Sequence, residues 1–362
     1  MNIGVINRII QAAVFICTIS TATAQAWKQG ILTDEFIYEK APFPECHAST
    51  IAATDKGLIA AFFGGTKERN PDVGIWICRK DKDSNTWTAP VEVANGVQAD
   101  GKRFACWNPV LYQVPGGELL LFYKVGPNVA GWKGYLITSR DAGLTWSRPQ
   151  SLPEGFHGPV KNKPVPLANG TLLCPSSTEG NGWKVHFELT ADNGKTWKKI
   201  GPIPGNGIDA IQPSVLFHKD GRLQILCRSK NRVVAESWSS DQGLTWSPLA
   251  PTSLPNNNSG TDAVTLADGR QLIVYNHVKT PEGEKKGART PLNVAVSDDG
   301  KTWQAALILE DSPISQYSYP SVIQTPDGFV HIVYTWRRER IKYVKLDPSK
   351  LQLKPIEHEL WP

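Results

Sequence analysis

An all-β fold, a six-bladed β-propeller with Asp-box repeats, is predicted by three features of the sequence. The chain of 362 residues contains 31 Gly, 27 Pro and 13 Trp but a single Met, a composition typical of short strands joined by tight turns. A motif of the form S-x-D-x-G-x-T-W recurs along the chain. A second repeat, made of a strand, a glycine turn and another strand, occurs six times. Together the two repeats predict six four-stranded blades arranged in a ring.

The first motif marks one turn in each of several blades. A degenerate copy ends at Trp87, and four clear copies run from Ser139 to Trp146, Thr190 to Trp197, Ser239 to Trp246 and Val296 to Trp303. In each copy we expect the Asp to accept hydrogen bonds from turn N–H groups and the Gly to adopt a positive φ. The Trp then packs the turn against the blade. The motif therefore predicts a structural role and no chemistry.

The second repeat gives the inner hairpin of each blade. Its six copies open near His47, Trp107, Asn162, Gln212, Thr261 and Tyr319. The sixth copy is followed by no Asp-box, so we expect the segment around Ile31–Glu39 to supply its outer strand and close the ring. Residues 27–362 are accordingly expected to form one propeller domain.

The first 26 residues are predicted to be a signal peptide. Arg8 precedes a short apolar run, and Ala24-Gln25-Ala26 forms an A-x-A cleavage site. The apolar run is too short to span a bilayer. We therefore expect an exported, periplasmic or extracellular protein with no membrane span. We also expect a monomer.

Composition also limits the partners. Lys and Arg number 39 against 34 Asp and Glu, and a net charge of +5 does not indicate a nucleic-acid partner. The sequence contains no glycine-rich phosphate loop and no H-E-x-x-H motif, so we expect no cofactor and no metal. The five cysteines beyond the signal peptide are scattered, which favours buried strand residues over a disulfide framework.

Topology predicts where a site can form. The start of each inner strand and the end of the strand paired with it lie on one rim of the ring, near the axis. Arg, Lys, Tyr, His and carboxylate residues are frequent at these positions. Candidates for substrate binding on this rim include Arg69, Asn108 and Lys161. Tryptophans outside the Asp-boxes, among them Trp107, Trp132 and Trp183, are candidates for stacking on sugar rings or for packing within the blades.

These motifs resemble the sialidase (neuraminidase) superfamily of six-bladed Asp-box propellers, over nearly all of the chain after residue 26. The resemblance implies that Arg228, in Leu226-Cys227-Arg228-Ser229, and Arg289, in Arg289-Thr290-Pro291, grip a sugar carboxylate, because guanidinium groups bind carboxylates bidentately. It implies that Tyr319 is the nucleophile, with Tyr317 as the competing choice. It implies that Asp72, in Asn70-Pro71-Asp72, is the general acid/base.

Two positions depart from the family pattern. His47 stands where the family has a third carboxylate-binding Arg, and Gln212 stands where the family has a Glu that takes the proton of the Tyr. An amide cannot act as a base, so His47 or Glu179 is an alternative proton acceptor on the same rim.

The sequence thus predicts a sialidase-like exo-glycosidase that removes a terminal acidic sugar, sialic acid or a related one, from glycans. Two alternatives stay open. One is a glycosidase or lyase that acts on uronic-acid or keto-deoxy-acid glycans through His47. The other is a non-catalytic glycan-binding propeller.

Overall fold

The structure, a computed structural model, describes residues 27–362; the predicted signal peptide lies outside the described residues. Its strands, in chain order, are β1 (Ile31–Phe36), β2 (Glu45–Ala53), β3 (Gly57–Gly65), β4 (Gly74–Asp81), β5 (Val91–Ala94), β6 (Cys106–Gln113), β7 (Leu119–Val125), β8 (Lys133–Ser139), β9 (Gln150–Ser151), β10 (Val165–Pro166), β11 (Leu172–Thr178), β12 (Lys184–Thr190), β13 (Lys198–Ile200), β14 (Ala210–Phe217), β15 (Leu223–Ser229), β16 (Val233–Ser239), β17 (Ala250–Pro255), β18 (Asp262–Thr265), β19 (Gln271–Tyr275), β20 (Leu292–Ser297), β21 (Gln304–Glu310), β22 (Tyr317–Gln324), β23 (Val330–Trp336), β24 (Arg340–Leu346) and β25 (Lys354–Pro355). One 3₁₀ helix spans Pro348–Lys350.

The strands form six antiparallel sheets, and each sheet is one blade. Blades 1 to 4 are β2–β5, β6–β9, β10–β13 and β14–β17, each in sequence order from the axis outward. Blade 5 is β18–β21 with β25 added at its outer edge. Blade 6 contains β22, β23 and β24, and β1 is its outermost strand. The predicted all-β, six-bladed propeller is therefore confirmed.

The N-terminal strand closes the ring as the sequence predicts. Strand β1 pairs with β24 from Ile31 to Phe36, so blade 6 combines the two ends of the domain. Glu35 of this strand also contacts blade 1: its Oε1 accepts from Lys80 Nζ at 2.6 Å and from the indole N–H of Trp87 at 2.9 Å. Pairing of this kind leaves β24 without a free edge.

The Asp-box turns have the hydrogen bonds expected of them. Asp141, Asp192 and Asp241 each accept from the backbone N–H and the hydroxyl of the box Thr. Hydrogen bonds from this Thr lower the pKa of each of the three carboxyls to about 2. The box tryptophans pack against the preceding blade: the Trp246 ring stacks on Phe187 of blade 3, with centroids 4.7 Å apart. The boxes thus hold neighbouring blades together.

Apolar clusters fill the spaces between adjacent blades. Ile59 and Ala61 of blade 1, for example, belong to one buried cluster with Leu111 and Leu121 of blade 2. The cysteines of the described chain, Cys46, Cys78, Cys106, Cys174 and Cys227, are buried and free, as expected. Within residues 27–362, no helix has the length and apolar character needed to cross a membrane.

Adjacent aspartates in the blade 5 box provide a test of its structural role. Both Asp298 and Asp299 are exposed, but only Asp299 accepts from the N–H groups of Lys301 and Thr302, each at 2.7 Å. We expect Asp299→Ala to lower the free energy of unfolding by about 1 kcal/mol, the net value of such hydrogen bonds. Asp298→Ala should leave it within about 0.5 kcal/mol of the wild type. Urea unfolding of both variants measures the difference, and equal effects would contradict the assigned role.

Candidate active site

A β-bulge interrupts the inner strand of four blades at the same level. The pairing register shifts in blades 1, 2, 4 and 6, and in each case a residue with positive φ lies within the shift: Ala48 (56°), Asn108 (27°), Gln212 (58°) and Tyr319 (53°). A bulge redirects the side chains that follow it, and strained backbone of this kind concentrates at functional sites. The bulges turn side chains from several blades toward the axis.

Beneath this level, a layer of buried polar groups blocks the axis. Lys161 Nζ donates to Asn162 Oδ1 (2.7 Å) and to the carbonyl oxygens of Thr261 (2.8 Å) and Pro320 (2.6 Å). These three acceptors match the three N–H bonds of an ammonium group. Burial lowers the pKa of Lys161 to about 7. The layer forms the floor of a blind cavity.

The cavity above this floor has a volume of about 910 Å³, a size typical of small-molecule sites. Blade 2 supplies an apolar wall of Trp107, Val129 and Trp132. Charged residues line much of the remainder: the cations are Lys67, Arg69, Arg228, Lys230, Lys285, Lys286, Arg289 and Arg338, and the carboxylates are Glu45, Glu68, Glu179 and Glu284. Cations outnumber carboxylates, so the cavity favours an anionic ligand.

Tyr319 lies at the centre of this arrangement and accepts hydrogen bonds from two donors. Arg228 Nη1 donates to its Oη at 2.6 Å, and Gln212 Nε2 lies 3.5 Å from the same atom. Three cationic groups, those of Lys161, Arg228 and Arg289, lie within 6 Å of the Tyr319 ring centroid. The surroundings therefore favour negative charge at the phenol oxygen or on a ligand beside it.

The two arginines have only neutral hydrogen-bond partners. Arg228 donates to Asn258 Oδ1 (3.0 Å) as well as to Tyr319, and Arg289 donates to Gln316 Oε1 (2.8 Å). Among residues 27–362, no carboxylate forms an ion pair with either guanidinium. Burial, together with repulsion from Arg228 and Arg338, lowers the pKa of Arg289 to about 10. Enclosed cations without a counterion are costly, and a bound anion would relieve that cost.

His47 is a buried, neutral neighbour of the tyrosine. Its ring centroid lies 4.2 Å from that of Tyr319, and its Nδ1 is 2.9 Å from Thr335 Oγ1. Burial, followed by the charges of Arg338, Arg289 and Arg228, holds the pKa of His47 well below its usual range. His47 therefore cannot supply the positive charge of the arginine that it replaces.

Among the cavity carboxylates, Glu179 has the environment of a proton donor. It follows β11, is largely buried, and has no hydrogen-bond or ion-pair partner among the described residues. Burial raises its pKa, with Arg228 and Lys230 opposing the shift. Glu68, by contrast, is 2.6 Å from Arg338 Nη1 in an ion pair.

The structure brings seven of the ten predicted site residues to this cavity: His47, Asn108, Gln212, Tyr319, Arg228, Arg289 and Arg69. The remaining three, Asp72, Lys161 and Tyr317, do not line it. Asp72 is exposed and accepts from the backbone N–H and the hydroxyl of Thr66, which fixes the turn that carries Glu68 and Arg69. Lys161 lies in the polar layer below.

Tyr317 is turned away because the bulge lies between it and the cavity. On a regular strand, residues two positions apart point to the same face, so Tyr317 and Tyr319 would lie side by side. The positive φ at Tyr319 breaks that alternation, and Tyr317 packs instead in the apolar cluster with Val294 and Tyr334.

Sequence reasoning did not assign a role to several residues of the cavity. Arg338, in the turn after β23, and Glu68 form their ion pair across the junction of blades 6 and 1. The charged segment Glu284-Lys285-Lys286 also forms part of the wall. Arg338 follows the second strand of the blade 6 hairpin, a position that the topology predicts to lie on the rim, and this position could have identified it as a site residue. Nothing in the sequence of the 284–286 segment distinguishes it from a solvated loop.

Comparisons with known proteins agree with this architecture. The family model described as a BNR repeat-like domain matches residues 56–332. An anhydrosialidase of Macrobdella decora is 24% identical over 260 residues, which cover 65% of this chain. The match spans 33% of the length of that curated relative.

Solved structures share the fold at low identity. A Dyadobacter fermentans protein of unknown function superposes with a TM-score of 0.71 at 16% identity, covering 88% of this chain and 98% of that one. The NanB sialidase from Streptococcus pneumoniae superposes with a TM-score of 0.70 at 13% identity, covering 89% of this chain and 71% of that one. These likenesses establish the propeller fold.

Buried histidines make stability depend on pH. Burial lowers the pKa of both His157 and His331 to about 4, below the value of about 6.5 expected in the unfolded chain. Their neutral rings therefore stabilise the fold above pH 6.5, and this contribution is lost as the pH falls from 6.5 to 4. We expect the free energy of unfolding to fall over that range, by up to about 1.4 kcal/mol per pH unit for each histidine. Chemical unfolding at several pH values measures the slope.

His331→Gln serves as the matched variant, because glutamine retains a polar side chain but does not titrate. The variant should lose about one histidine's share of the slope between pH 6.5 and 4. An unchanged slope would show that His331 does not contribute.

Proposed function

The chain belongs to the BNR repeat-like domain family, as a divergent relative of the sialidases, and we propose that it is an exported glycoside hydrolase. Its proposed reaction removes a terminal acidic sugar, sialic acid or a related one, from glycans. Glycosidase activity is itself part of the proposal, and it rests on the kinship of the chain with sialidases at the level of the family. The identity of the sugar and the export are parts of the proposal.

The observation that carries the proposal is the pair of guanidinium groups, Arg228 and Arg289, enclosed beside Tyr319 without a carboxylate partner. A sugar carboxylate would supply the missing negative charge and can accept two parallel N–H bonds from each arginine. A neutral sugar would leave both charges uncompensated. The proposed specificity for an acidic sugar follows from this difference between a charged and a neutral ligand.

Tyr319 is the proposed nucleophile. Its Oη attacks the anomeric carbon, the glycosidic C–O bond breaks, and the leaving oxygen takes a proton from Glu179. Water then gives a proton to the Glu179 carboxylate, bonds to the anomeric carbon and displaces the tyrosine oxygen, which regains its proton from the base that took it. Arg228 donates to the Tyr319 Oη at 2.6 Å and so favours the negative charge that develops on this oxygen when it leaves.

Proton transfer in this scheme differs from the family pattern, since Gln212 cannot take the proton of the tyrosine. His47 is the proposed acceptor, because its ring lies beside that of Tyr319 and a bound sugar carboxylate would offset the charges of Arg289 and Arg228 that lower the pKa of His47.

A lyase is the second candidate, and the observation that favours it is the position of His47 in the cavity that Arg228 and Arg289 also line. A neutral imidazole beside an arginine-bound carboxylate can remove the proton on the adjacent carbon. Elimination would give an unsaturated sugar, whereas hydrolysis gives a saturated one. Mass analysis of the product distinguishes them, because the hydrolysed product is heavier by one water.

We expect purified residues 27–362 to release the terminal sugar from at least one fluorogenic glycoside of sialic acid, a uronic acid or a keto-deoxy acid. Tyr319→Phe should slow the reaction at least about 100-fold by removing the nucleophile, and Arg228→Met should do so by removing a charge-stabilising donor. Tyr317→Phe is the matched control, since this tyrosine packs in an apolar cluster away from the cavity. No release from the whole panel would contradict the hydrolase proposal, and equal loss in both tyrosine variants would contradict the assignment of Tyr319.

The proton donor can be identified with leaving groups of different basicity. If Glu179 protonates the leaving oxygen, Glu179→Gln should lose activity on a natural glycan while retaining much more on an aryl glycoside, whose leaving group needs no proton. Asp72→Asn should reduce both activities by a similar factor, because the Asp72 carboxylate lies outside the cavity and only holds the turn that carries Glu68 and Arg69. Steady-state rates on the two substrates provide the comparison. The opposite pattern would identify Asp72 as the acid.

A further inference from the structure

A second, smaller cavity of about 360 Å³ adjoins the main one. Its lining consists of Lys286, Gly287, Ala288, Arg289, Ser315, Gln316 and Arg338. Three of these residues, Lys286, Arg289 and Arg338, also line the main cavity, so the two spaces share three cations. No carboxylate belongs to the lining of this side cavity among the residues that the structure describes.

Only one of the three cations that line the side cavity has a carboxylate partner. Arg338 pairs with Glu68 at 2.6 Å. Arg289 donates to the neutral side chains of Gln316 (2.8 Å) and Ser318 (3.4 Å). Lys286 is exposed and has no ion-pair partner within residues 27–362. The side cavity therefore carries an excess of positive charge that no neighbouring group balances.

Hydrogen bonds hold both walls of the side cavity in place. On one side, Gly287 N donates to the Asn257 carbonyl (3.0 Å), and Asn258 Nδ2 donates to the Lys285 carbonyl (2.8 Å). On the other side, Arg337 N donates to the Gln316 carbonyl (2.7 Å). Asn258 also accepts from Arg228 at 3.0 Å, so the wall that carries Lys286 is tied to the main cavity. Anchoring of this kind reduces the conformational entropy that the protein loses when a ligand binds.

We infer that the side cavity is a second anion subsite, which takes a sulfate ester on the glycan held in the main cavity. The inference rests on the proposed function and extends it to a substrate class: glycans that carry a second oxyanion besides the carboxylate of the terminal sugar. Lys286 and Arg338 supply charged donors from two separate segments of the lining, and the hydroxyl of Ser315 adds a neutral donor. A tetrahedral sulfate presents several oxygens to such donors at once.

Two pairs of glycans, identical except for one sulfate, test the inference by direct binding. They are 3′-sialyl-N-acetyllactosamine with and without a 6-sulfate on its glucosamine, and a chondroitin disaccharide with and without a 4-sulfate. Titration calorimetry is carried out in the Tyr319→Phe background, so that turnover does not interfere. We expect the sulfated member of at least one pair to bind about tenfold tighter, and the difference to shrink as salt is raised.

Neighbouring lysines provide the matched variants. Lys285 and Lys286 belong to one segment and carry the same charge, but only Lys286 lines the side cavity. Lys286→Gln should remove most of the preference for sulfate, and Lys285→Gln should retain it. Equal affinity within both pairs, binding of none of the four glycans, or equal loss of preference in the two variants would overturn the inference.

Failure of this inference can be told apart from failure of the proposed function. Hydrolysis that depends on Tyr319 without any preference for sulfate would overturn the second subsite alone. A preference for sulfate that depends on Lys286, in a protein that hydrolyses no glycoside, would overturn the hydrolase proposal and leave the subsite in place.

Discussion

The buried carboxylate of Asp262 is the interaction on which the centre of the propeller depends. Its oxygens accept from Lys163 Nζ (2.9 Å), Ser214 Oγ (2.9 Å) and the backbone N–H of Val322 (2.8 Å). These donors belong to blades 3, 4 and 6, and Asp262 itself opens the inner strand of blade 5. A buried charge is tolerable only when its hydrogen-bonding capacity is filled, so four blades must hold their positions around this group. The cavity floor rests on the same layer.

The bulges above that floor convert a regular ring into a site. Along an unbroken inner strand, alternate side chains would enter the spaces between blades. Positive φ values at Gln212 and Tyr319 break the alternation in blades 4 and 6, and the two side chains meet with Gln212 Nε2 3.5 Å from Tyr319 Oη. Such backbone conformations cost free energy, of order 1 kcal/mol or more each. The interblade apolar clusters and the Asp-box turns supply the stability that tolerates them.

The charge pattern of the cavity separates this chain from the family pattern that it resembles. Replacing a cationic side chain by His47 and an anionic one by Gln212 changes two groups beside the tyrosine, and burial keeps the imidazole neutral. Together the two replacements leave the net charge beside the tyrosine nearly unchanged, because one positive and one negative side chain are both replaced by neutral ones. The excess of positive charge comes from Arg228 and Arg289, since Arg338 is paired with Glu68 of the blade 1 loop. The site thus retains an excess of cations while its proton-transfer groups differ.

The sequence by itself determined the architecture, because the Asp-box and hairpin repeats encode local turns and strand pairings that need no distant information. Blade number, ring closure by β1 and the rim that holds Arg228, Arg289 and Tyr319 all follow from the order of these repeats. Tertiary structure decided which side chains on that rim share the cavity. The bulge at Tyr319 turned Tyr317 into an apolar cluster, and Thr66 bound Asp72 outside the cavity. Lys286 and Arg338 came to line one cavity although 52 residues separate them in the sequence. These outcomes depend on backbone irregularities and on contacts between blades, and the periodicity of a repeat contains neither.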